Sequence, residues 1–170
     1  MAPNKRQQLK KAAGIDQLLD HVTTYPKNEI TYRASDMVLA ARSDSGFNNE
    51  SKARSRAGAH IFLSENNPKS KWNGAILKIS HIIKFVMSSA SEAELGALYI
   101  TAKEMVPVRQ KLIEMGWKQP PSPIQTDNLA AAVLVNKTII QRKSKSLDLR
   151  FHWLICRELQ GQFRFYWIPG

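Results

Sequence analysis

The stretch of sequence that decides the fold spans residues 88–98 and reads Ser88-Ser89-Ala90-Ser91-Glu92-Ala93-Glu94-Leu95-Gly96-Ala97-Leu98. A lightly charged apolar segment ends there and a helix begins, because Ser89 with Glu92 and Ser91 with Glu94 both match the Ser-x-x-Glu capping box. Apolar residues recur at helical spacing from Leu95 onward. If Ser89 is the N-cap, Glu92 is its partner and Glu94 is a free carboxylate; helix geometry alone leaves the choice open.

Strand-like segments precede this helix start. Residues 30–43 are predicted to form one broken strand or two paired strands, and residues 57–64 and 75–87 the next two strands. Residues 48–56 are a polar, basic connection, and residues 7–22 have the apolar spacing of a separate helix. Three consecutive strands favour an antiparallel meander.

Helices and short strands alternate after residue 92. The predicted segments are a helix to residue 115 with a break or kink at Pro107, a proline-rich linker at 120–123, a strand at 124–126, a short helix at 129–135, a helix at 147–159 and a strand at 162–168. Gly116 is the expected C-cap of the first of these helices. This alternation favours parallel crossovers, so the fold class is a mixed α/β sheet with flanking helices.

Composition restricts the possible partners. The chain has 170 residues, 43% of them hydrophobic, which suits one globular domain with a core and a short appendage. A formal net charge of +11 favours a polyanion, nucleic acid first and an anionic membrane second, over a basic protein without a specific partner.

Cysteine usage and the chain ends bear on the compartment. Cys156 is the only cysteine, which excludes an internal disulfide and a cysteine-based zinc site. Residues 1–11 lack the apolar region of a secretory signal, and no apolar run has the length of a membrane span. We therefore expect an intracellular protein, cytoplasmic or nuclear, that is neither secreted nor bound to a membrane.

Three carboxylates stand where predicted elements begin or end. Asp44 and Asp127 each follow a strand, and Glu94 lies in the first turns of the central helix. Converging carboxylates need a cation, and all-oxygen sites suit Mg²⁺ or Mn²⁺. Two such ions about 4 Å apart can promote phosphodiester hydrolysis. Taken singly, each residue is more often structural: a turn at Asp44, a capping-box partner at Glu94, an N-cap at Asp127.

Several segments together, in this order, resemble one known family. They are Ser43-Asp44, Ser55-Arg56-Ala57-Gly58, the stretch 88–98, Gln125-Thr126-Asp127-Asn128, residues 145–154 with Asp148 and His152, and Phe165-Tyr166-Trp167-Ile168-Pro169-Gly170. The set is similar to the ribonuclease H (RNase H) domain of Ty1/copia-type retrotransposon polyproteins. No single motif is decisive, but the ordered set is specific.

The resemblance implies an RNase H-like fold, with a mixed five-stranded sheet of three antiparallel strands followed by parallel crossovers. It implies that residues 29–170 form this domain without its C-terminal helix, and that residues 1–28 are the helical tail of an upstream reverse-transcriptase or connection region. It also implies cleavage of the RNA strand of RNA–DNA hybrids during reverse transcription. Asp44, Glu94 and Asp127 are then the catalytic, metal-binding residues for two Mg²⁺ or Mn²⁺ ions.

One departure from the family pattern keeps a second function open. The family's fourth catalytic aspartate lies beyond the Trp-x-Pro-Gly segment at the end of this sequence, so a fragment or degraded copy without that residue is expected. The alternative is a non-catalytic, basic nucleic-acid-binding module of the same fold; a scaffold without a nucleic-acid role is a weaker third.

Two basic clusters could follow the phosphates of a hybrid. They are Lys52, Arg54, Arg56 and Arg142, Lys143, Lys145. The expected partners are the RNA–DNA hybrid and the remainder of a retrotransposon polyprotein, with the oligomeric state undetermined. A solvated loop is an equally good interpretation of each cluster alone.

Overall fold

The computed structural model describes residues 5–66, 72–128 and 145–167, and for residues 5–13 and 145–148 it describes the backbone alone. The chain divides into two compact units, Met1–Thr31 and Tyr32–Gly170. The first contains helix α1, Lys5–Thr24, which confirms the helix predicted at 7–22. Its apolar side chains, such as Leu18 and Leu19, are exposed. Its origin in an upstream reverse-transcriptase region stays a prediction.

The second unit is built on a five-stranded sheet. Its described elements are β1 (Val38–Glu50), β2 (Arg54–Ser64), β3 (Ala75–Ile82), α2 (Ala90–Glu114), β4 (Ser122–Thr126), α3 (Lys145–Leu159) and β5 (Phe163–Trp167). The strand order is β3-β2-β1-β4-β5. The first three strands pair antiparallel, and β4 is parallel to both β1 and β5. The predicted mixed sheet with flanking helices is confirmed.

The core lies between one face of the sheet and the two helices α2 and α3. The buried cluster joins apolar residues of β1, β2, β3, β4 and β5 to residues of both helices, among them Leu39, Ile61, Leu98, Leu154 and Phe165. A fully buried side chain of this size contributes about 1.5–3 kcal/mol relative to exposure. This packing fixes α2 across β1 and β2. Among the described helices, none is both long and apolar enough to cross a membrane.

Strand β1 differs from its predicted extent at both ends. It begins at Val38, because residues 28–37 have no regular secondary structure, and it continues to Glu50. The extension is paired with β2, where Asp44 lies opposite Gly58 before an irregularity leads to the Glu50–Arg54 pair. Asp44 therefore lies inside a strand, and its predicted position at a strand end is wrong. The connection predicted at residues 48–56 is therefore only a turn at residues 51–53.

Helix α2 continues past Pro107, so a break at that residue is wrong, whereas a kink there stays a prediction. The missing hydrogen bond of an interior proline costs about 3 kcal/mol. Met105 and Leu112, on either side of it, are both buried in the core, and their packing holds the helix together. The C-terminus of α2 is capped by a hydrogen bond from the Trp117 N–H to the Leu112 carbonyl. Gly116 has φ +92°, as predicted for a C-cap glycine.

The proline-rich segment before β4 is held firmly by side chains. Arg109 donates to the carbonyls of Gln119 and Pro120 and to the Ser122 hydroxyl. The Gln119 amide accepts from the Leu39 N–H and donates to the Met37 carbonyl, which extends the junction of β1 and β4. Backbone pairing at that junction covers only two residue pairs, Ala41 with Ile124 and Arg42 with Gln125. The helix predicted at 129–135 lies outside the described residues.

Candidate metal centre

Three carboxylates from three different elements converge at one end of the β1–β4 junction. Asp44 comes from β1, Glu94 from the first turns of α2, and Asp127 directly follows β4. Each offers one oxygen, and these oxygens all lie within 4.8 Å of one another. Asp44 and Asp127 are exposed, whereas Glu94 is 7% exposed. The structure thus brings together all three acids selected from the sequence.

Sheet register explains how the two aspartates meet. Strands β1 and β4 are parallel neighbours, and Arg42 pairs with Gln125. Asp44 and Asp127 each follow this pair by two residues in the same direction, so they lie side by side on the neighbouring strands. The Trp167 indole N–H donates to the Asp127 carbonyl at 3.0 Å, which ties the residue to β5.

The helix start assigns different roles to the two glutamates. Ser89 is the N-cap, and its hydroxyl accepts from the Glu92 N–H at 3.2 Å. The Glu92 carboxylate in turn accepts from the N–H of Ser88 at 2.7 Å and from the Ser88 hydroxyl. Glu92 is therefore engaged in capping. Glu94, two residues later, points toward the aspartates.

Glu94 is held by one residue and is only half satisfied. Its Oε1 accepts from the Ser45 hydroxyl at 2.6 Å and from the Ser45 N–H at 3.0 Å. Its Oε2 is buried and has no hydrogen-bond partner among the described residues. Burial raises the pKa of Glu94 from 4.5 to about 7; the Ser45 hydroxyl opposes the rise, and the charges of Asp127 and Asp44 add to it. A buried anionic oxygen without a donor is costly unless a cation neutralises it.

These features fit a hard divalent cation. The donor set is all oxygen, it carries up to three negative charges, and one buried oxygen is directed into it without a partner. Carboxylate oxygens are the ligands that Mg²⁺ and Mn²⁺ prefer. Asp44, Glu94 and Asp127 are the residues that would hold such an ion.

The predicted basic clusters are only partly described. Arg56 donates to Glu50 at 2.6 Å and to the Ser80 hydroxyl at 2.9 Å, so its charge is largely neutralised within the sheet. Arg54 donates to Ser51 in the turn. Lys52 lies at that turn and is exposed.

The second basic cluster lies mostly beyond the described part. Arg142 and Lys143 fall outside the described residues, and Lys145 is the first residue of α3, where the backbone alone is described.

Sequence reasoning missed the residues that support the acids. Ser45 is not among the site residues predicted from the sequence, yet its N–H and hydroxyl both donate to Glu94 and hold it in place. Beneath the site, the buried Thr101 hydroxyl bonds to the Ser43 hydroxyl at 3.1 Å and links α2 to β1. Strand alternation could have indicated both serines, because it places them on the face that α2 covers.

Comparisons with known proteins agree with this architecture. No protein-family model matches the chain. It is 26% identical over 125 residues, 74% of its length, to the retrovirus-related Pol polyprotein from transposon TNT 1-94 of Nicotiana tabacum. The chain spans 9% of the length of that curated relative. The resemblance to a retrotransposon polyprotein is confirmed.

Solved structures show the fold. The LC11 RNase H1 isolated from compost superposes with a TM-score of 0.57 at 14% identity, over 78% of this chain and 85% of that one. The same enzyme solved in complex with an RNA/DNA hybrid also gives 0.57, at 14% identity over 77% and 85%. The N-terminal RNase H domain of a Mycobacterium tuberculosis protein gives 0.51, at 11% identity over 81% and 88%. The predicted RNase H-like fold is confirmed.

Proposed function

We propose that this chain is a ribonuclease that hydrolyses the RNA strand of RNA–DNA hybrids during reverse transcription of a Ty1/copia-type retrotransposon. Asp44, Glu94 and Asp127 are its catalytic residues and hold Mg²⁺ or Mn²⁺. The observation that carries the proposal is the convergence of these three acids within 4.8 Å, with the buried Glu94 Oε2 unpartnered among the described residues.

The substrate class is supported by likeness and by charge. A structural neighbour was solved with an RNA/DNA hybrid, and the curated relative is a retrotransposon polyprotein. A net charge of +11 attracts a polyanion and raises its local concentration. The other proposed partner is the remainder of such a polyprotein, of which this chain would be one part.

Each side chain at the site has a different proposed role. Divalent ions, when bound there, activate a water and stabilise the leaving oxygen of the cleaved phosphodiester. Glu94 supplies an inner, buried oxygen, while the exposed Asp44 and Asp127 face the substrate side. Ser45 donates to Glu94 and thereby favours its charged form. We assign a phosphate contact to Lys52, which is exposed in the β1–β2 turn, rather than to Arg54 and Arg56, which have local partners.

The test is cleavage of a hybrid whose RNA strand carries an end label, with and without Mg²⁺. Asp127→Asn removes one charge from the acidic cluster and keeps the side-chain size. We expect it to lower the cleavage rate by at least about 100-fold and to leave hybrid affinity largely unchanged. Asp16→Asn makes the same chemical change on the exposed surface of α1 and should not alter cleavage.

Other results would decide against the proposal. Cleavage that persists in Asp127→Asn would reject the site assignment. Salt-sensitive hybrid binding without any cleavage in Mg²⁺ or Mn²⁺ would support the non-catalytic binding module instead. Absence of salt-dependent binding would reject both.

A further inference from the structure

The two oxygens of the Glu94 carboxylate have different surroundings. Oε1 accepts two hydrogen bonds, from the Ser45 hydroxyl at 2.6 Å and from the Ser45 N–H at 3.0 Å. Oε2 is buried and accepts none from the part of the chain that the structure describes. An ionised carboxylate has about four lone-pair sites, shared equally by its two oxygens. Ser45 therefore occupies both sites on Oε1, and both sites on Oε2 are left for another partner.

The strand holds Ser45 in a position from which it orients two acids. Ser45 pairs with Ala57 of β2, so its backbone is fixed by the sheet. Its N–H is shared, because it also donates to Asp44 Oδ1 at 2.7 Å. The hydroxyl donates to Glu94 alone, at a length typical of a strong bond to a charged oxygen. Glu94 cannot exchange its two oxygens by rotation without breaking this bond.

This arrangement restricts how Glu94 can bind an ion. Bidentate coordination, in which both oxygens of one carboxylate bind the same ion, needs a free lone pair on each oxygen. Oε1 has none while Ser45 donates to it twice. Ca²⁺ takes about six to eight oxygens and commonly binds carboxylates through both of theirs. Mg²⁺ is smaller, requires near-octahedral geometry and keeps several of its waters, so a carboxylate that offers one oxygen suits it better.

We propose that Ser45 is a positioning residue that makes Glu94 a ligand through Oε2 alone and thereby favours Mg²⁺ over Ca²⁺. The inference rests on the metal centre of the proposed function and adds the residue that sets its ion selectivity. The hydroxyl is the decisive group, because any residue other than proline at this position would supply the N–H. Without the hydroxyl, Oε1 regains a lone pair and Glu94 can bind an ion through both oxygens.

The test measures displacement of bound Mn²⁺ from the full chain by Mg²⁺ or Ca²⁺. Free Mn²⁺ gives an electron paramagnetic resonance signal that bound Mn²⁺ largely loses, so the affinity of each competitor can be obtained. In Ser45→Ala we expect the Mg²⁺ affinity to fall about tenfold. Ca²⁺ should lose less, because it gains a second oxygen, and the ratio of Ca²⁺ to Mg²⁺ affinity should rise at least about fivefold. Protonation of Glu94 competes equally with both ions and cancels from this ratio.

Two further variants separate the Ser45 hydroxyl from general effects on the fold. Ser64→Ala removes a buried hydroxyl that donates to the Val38 carbonyl, where β1 begins and β2 ends. It makes the same chemical change away from the acids and should leave the ratio unchanged. Ser45→Thr keeps the hydroxyl and should retain the natural ratio.

Infrared spectroscopy tests the coordination in the natural chain, whether or not a variant folds. The antisymmetric and symmetric carboxylate stretches are further apart when one oxygen binds an ion than when both do. Labelling the glutamate carboxylates with ¹³C separates their bands from those of aspartate, and the acidic cluster contains one glutamate, Glu94. The difference between spectra in Mg²⁺ and in EDTA should therefore show the wide separation of a carboxylate bound through one oxygen.

Four outcomes overturn the proposal. They are an unchanged ratio in Ser45→Ala, an equal shift in Ser64→Ala, a ratio in Ser45→Thr that matches Ser45→Ala, and the narrow separation of a bidentate carboxylate with Mg²⁺. In each of these cases the natural chain still binds Mg²⁺, and the cleavage test of the proposed function is unaffected. If the natural chain binds no divalent ion, the metal centre itself is rejected, and this inference with it.

Discussion

Glu94 concentrates the electrostatic cost of the metal centre in one side chain. It is buried beside two other acids, and only one of its oxygens has donors among the described residues. Without a cation, burial and the neighbouring charges raise its pKa to about 7. The metal-free protein is therefore destabilised by the very group that the proposed ion would neutralise.

A pH-dependent difference in stability follows for the metal-free chain. Unfolded Glu94 releases its proton near its ordinary pKa of 4.5, and folded Glu94 near about 7. Between these values the folded state binds more protons, so the contribution of Glu94 to the free energy of unfolding falls as pH rises, and the loss is complete above about pH 7. Glu94→Gln should remove this loss. Its stability relative to the natural chain should be higher at about pH 8.5 than at about pH 5.

Urea unfolding in EDTA at the two pH values measures this difference. Glu104→Gln is the control, because Glu104 lies on the exposed surface of the same helix. A constant stability difference between Glu94→Gln and the natural chain at both pH values would contradict the buried, charged environment described for Glu94.

The three acids of the site could be predicted from the sequence, but the residue that holds Glu94 by hydrogen bonds could not. Asp44, Glu94 and Asp127 stood out because carboxylates next to apolar segments are unusual. Their role as metal ligands stays a prediction. Ser45 carries no such signal, since serine after an aspartate is common in turns. Only the packing of α2 on β1 shows that its hydroxyl faces Glu94.

At the scale of elements, the start of α2 determines where Glu94 lies. The Ser89 cap fixes the first turn, and Glu92 bonds back to Ser88. Ser89→Ala should cost about 1 kcal/mol of unfolding free energy. Ser91→Ala should cost less, because Ser91 lies inside the helix and does not cap it. Chemical denaturation measures both; equal costs would contradict the capping assignment.

The β1–β2 turn contains backbone strain that a glycine would relieve. Ala53 has φ +51°, a left-handed conformation that residues with a Cβ disfavour by about 1–2 kcal/mol. Ala53→Gly should raise the free energy of unfolding by about 0.5–1 kcal/mol, after subtracting the flexibility gained by the unfolded chain. The same change at Ala59, in the extended backbone of β2, should lower it. A loss of stability in Ala53→Gly would contradict this prediction.

Element types were easier to predict than element limits. Alternation and β-branched residues identified β1, β2 and β3, and capping residues identified α2. The extension of β1 past Asp44 could not be inferred, because Ser45, Gly46 and the polar residues that follow are typical of a turn. Pairing with β2 overrides that local preference. Core contacts on both sides of Pro107 likewise override its tendency to break a helix.

At the scale of the whole molecule, the order of elements was enough to predict the sheet. Three successive strands followed by helix–strand alternation permit few arrangements, and β3-β2-β1-β4-β5 is one of them. Which side chains become neighbours across the sheet was not foreseen, because the strand register decides it.

The short backbone pairing between β1 and β4 determines where the sheet can open locally. Only two backbone pairs join the antiparallel strands to β4 and β5, and Pro123 contributes no N–H. Local opening there would carry Asp127 away from Asp44 and Glu94. Amide protons of Ile124 and Gln125 should therefore exchange with deuterium faster than those at the centre of β2.

A bound ion would bridge that junction. If Asp127 and Asp44 share a divalent cation, opening requires its release, so Mg²⁺ should slow exchange in β4 and leave the β2–β3 pairing unchanged. Hydrogen exchange followed by mass spectrometry measures these rates, with one sample in EDTA and others at increasing concentrations of Mg²⁺. Equal slowing of exchange in β4 and in the β2–β3 pairing would indicate a general effect of ions. Slowing confined to β4 would show that a bound ion reversibly cross-links β1 and β4 and so joins the two parts of the sheet.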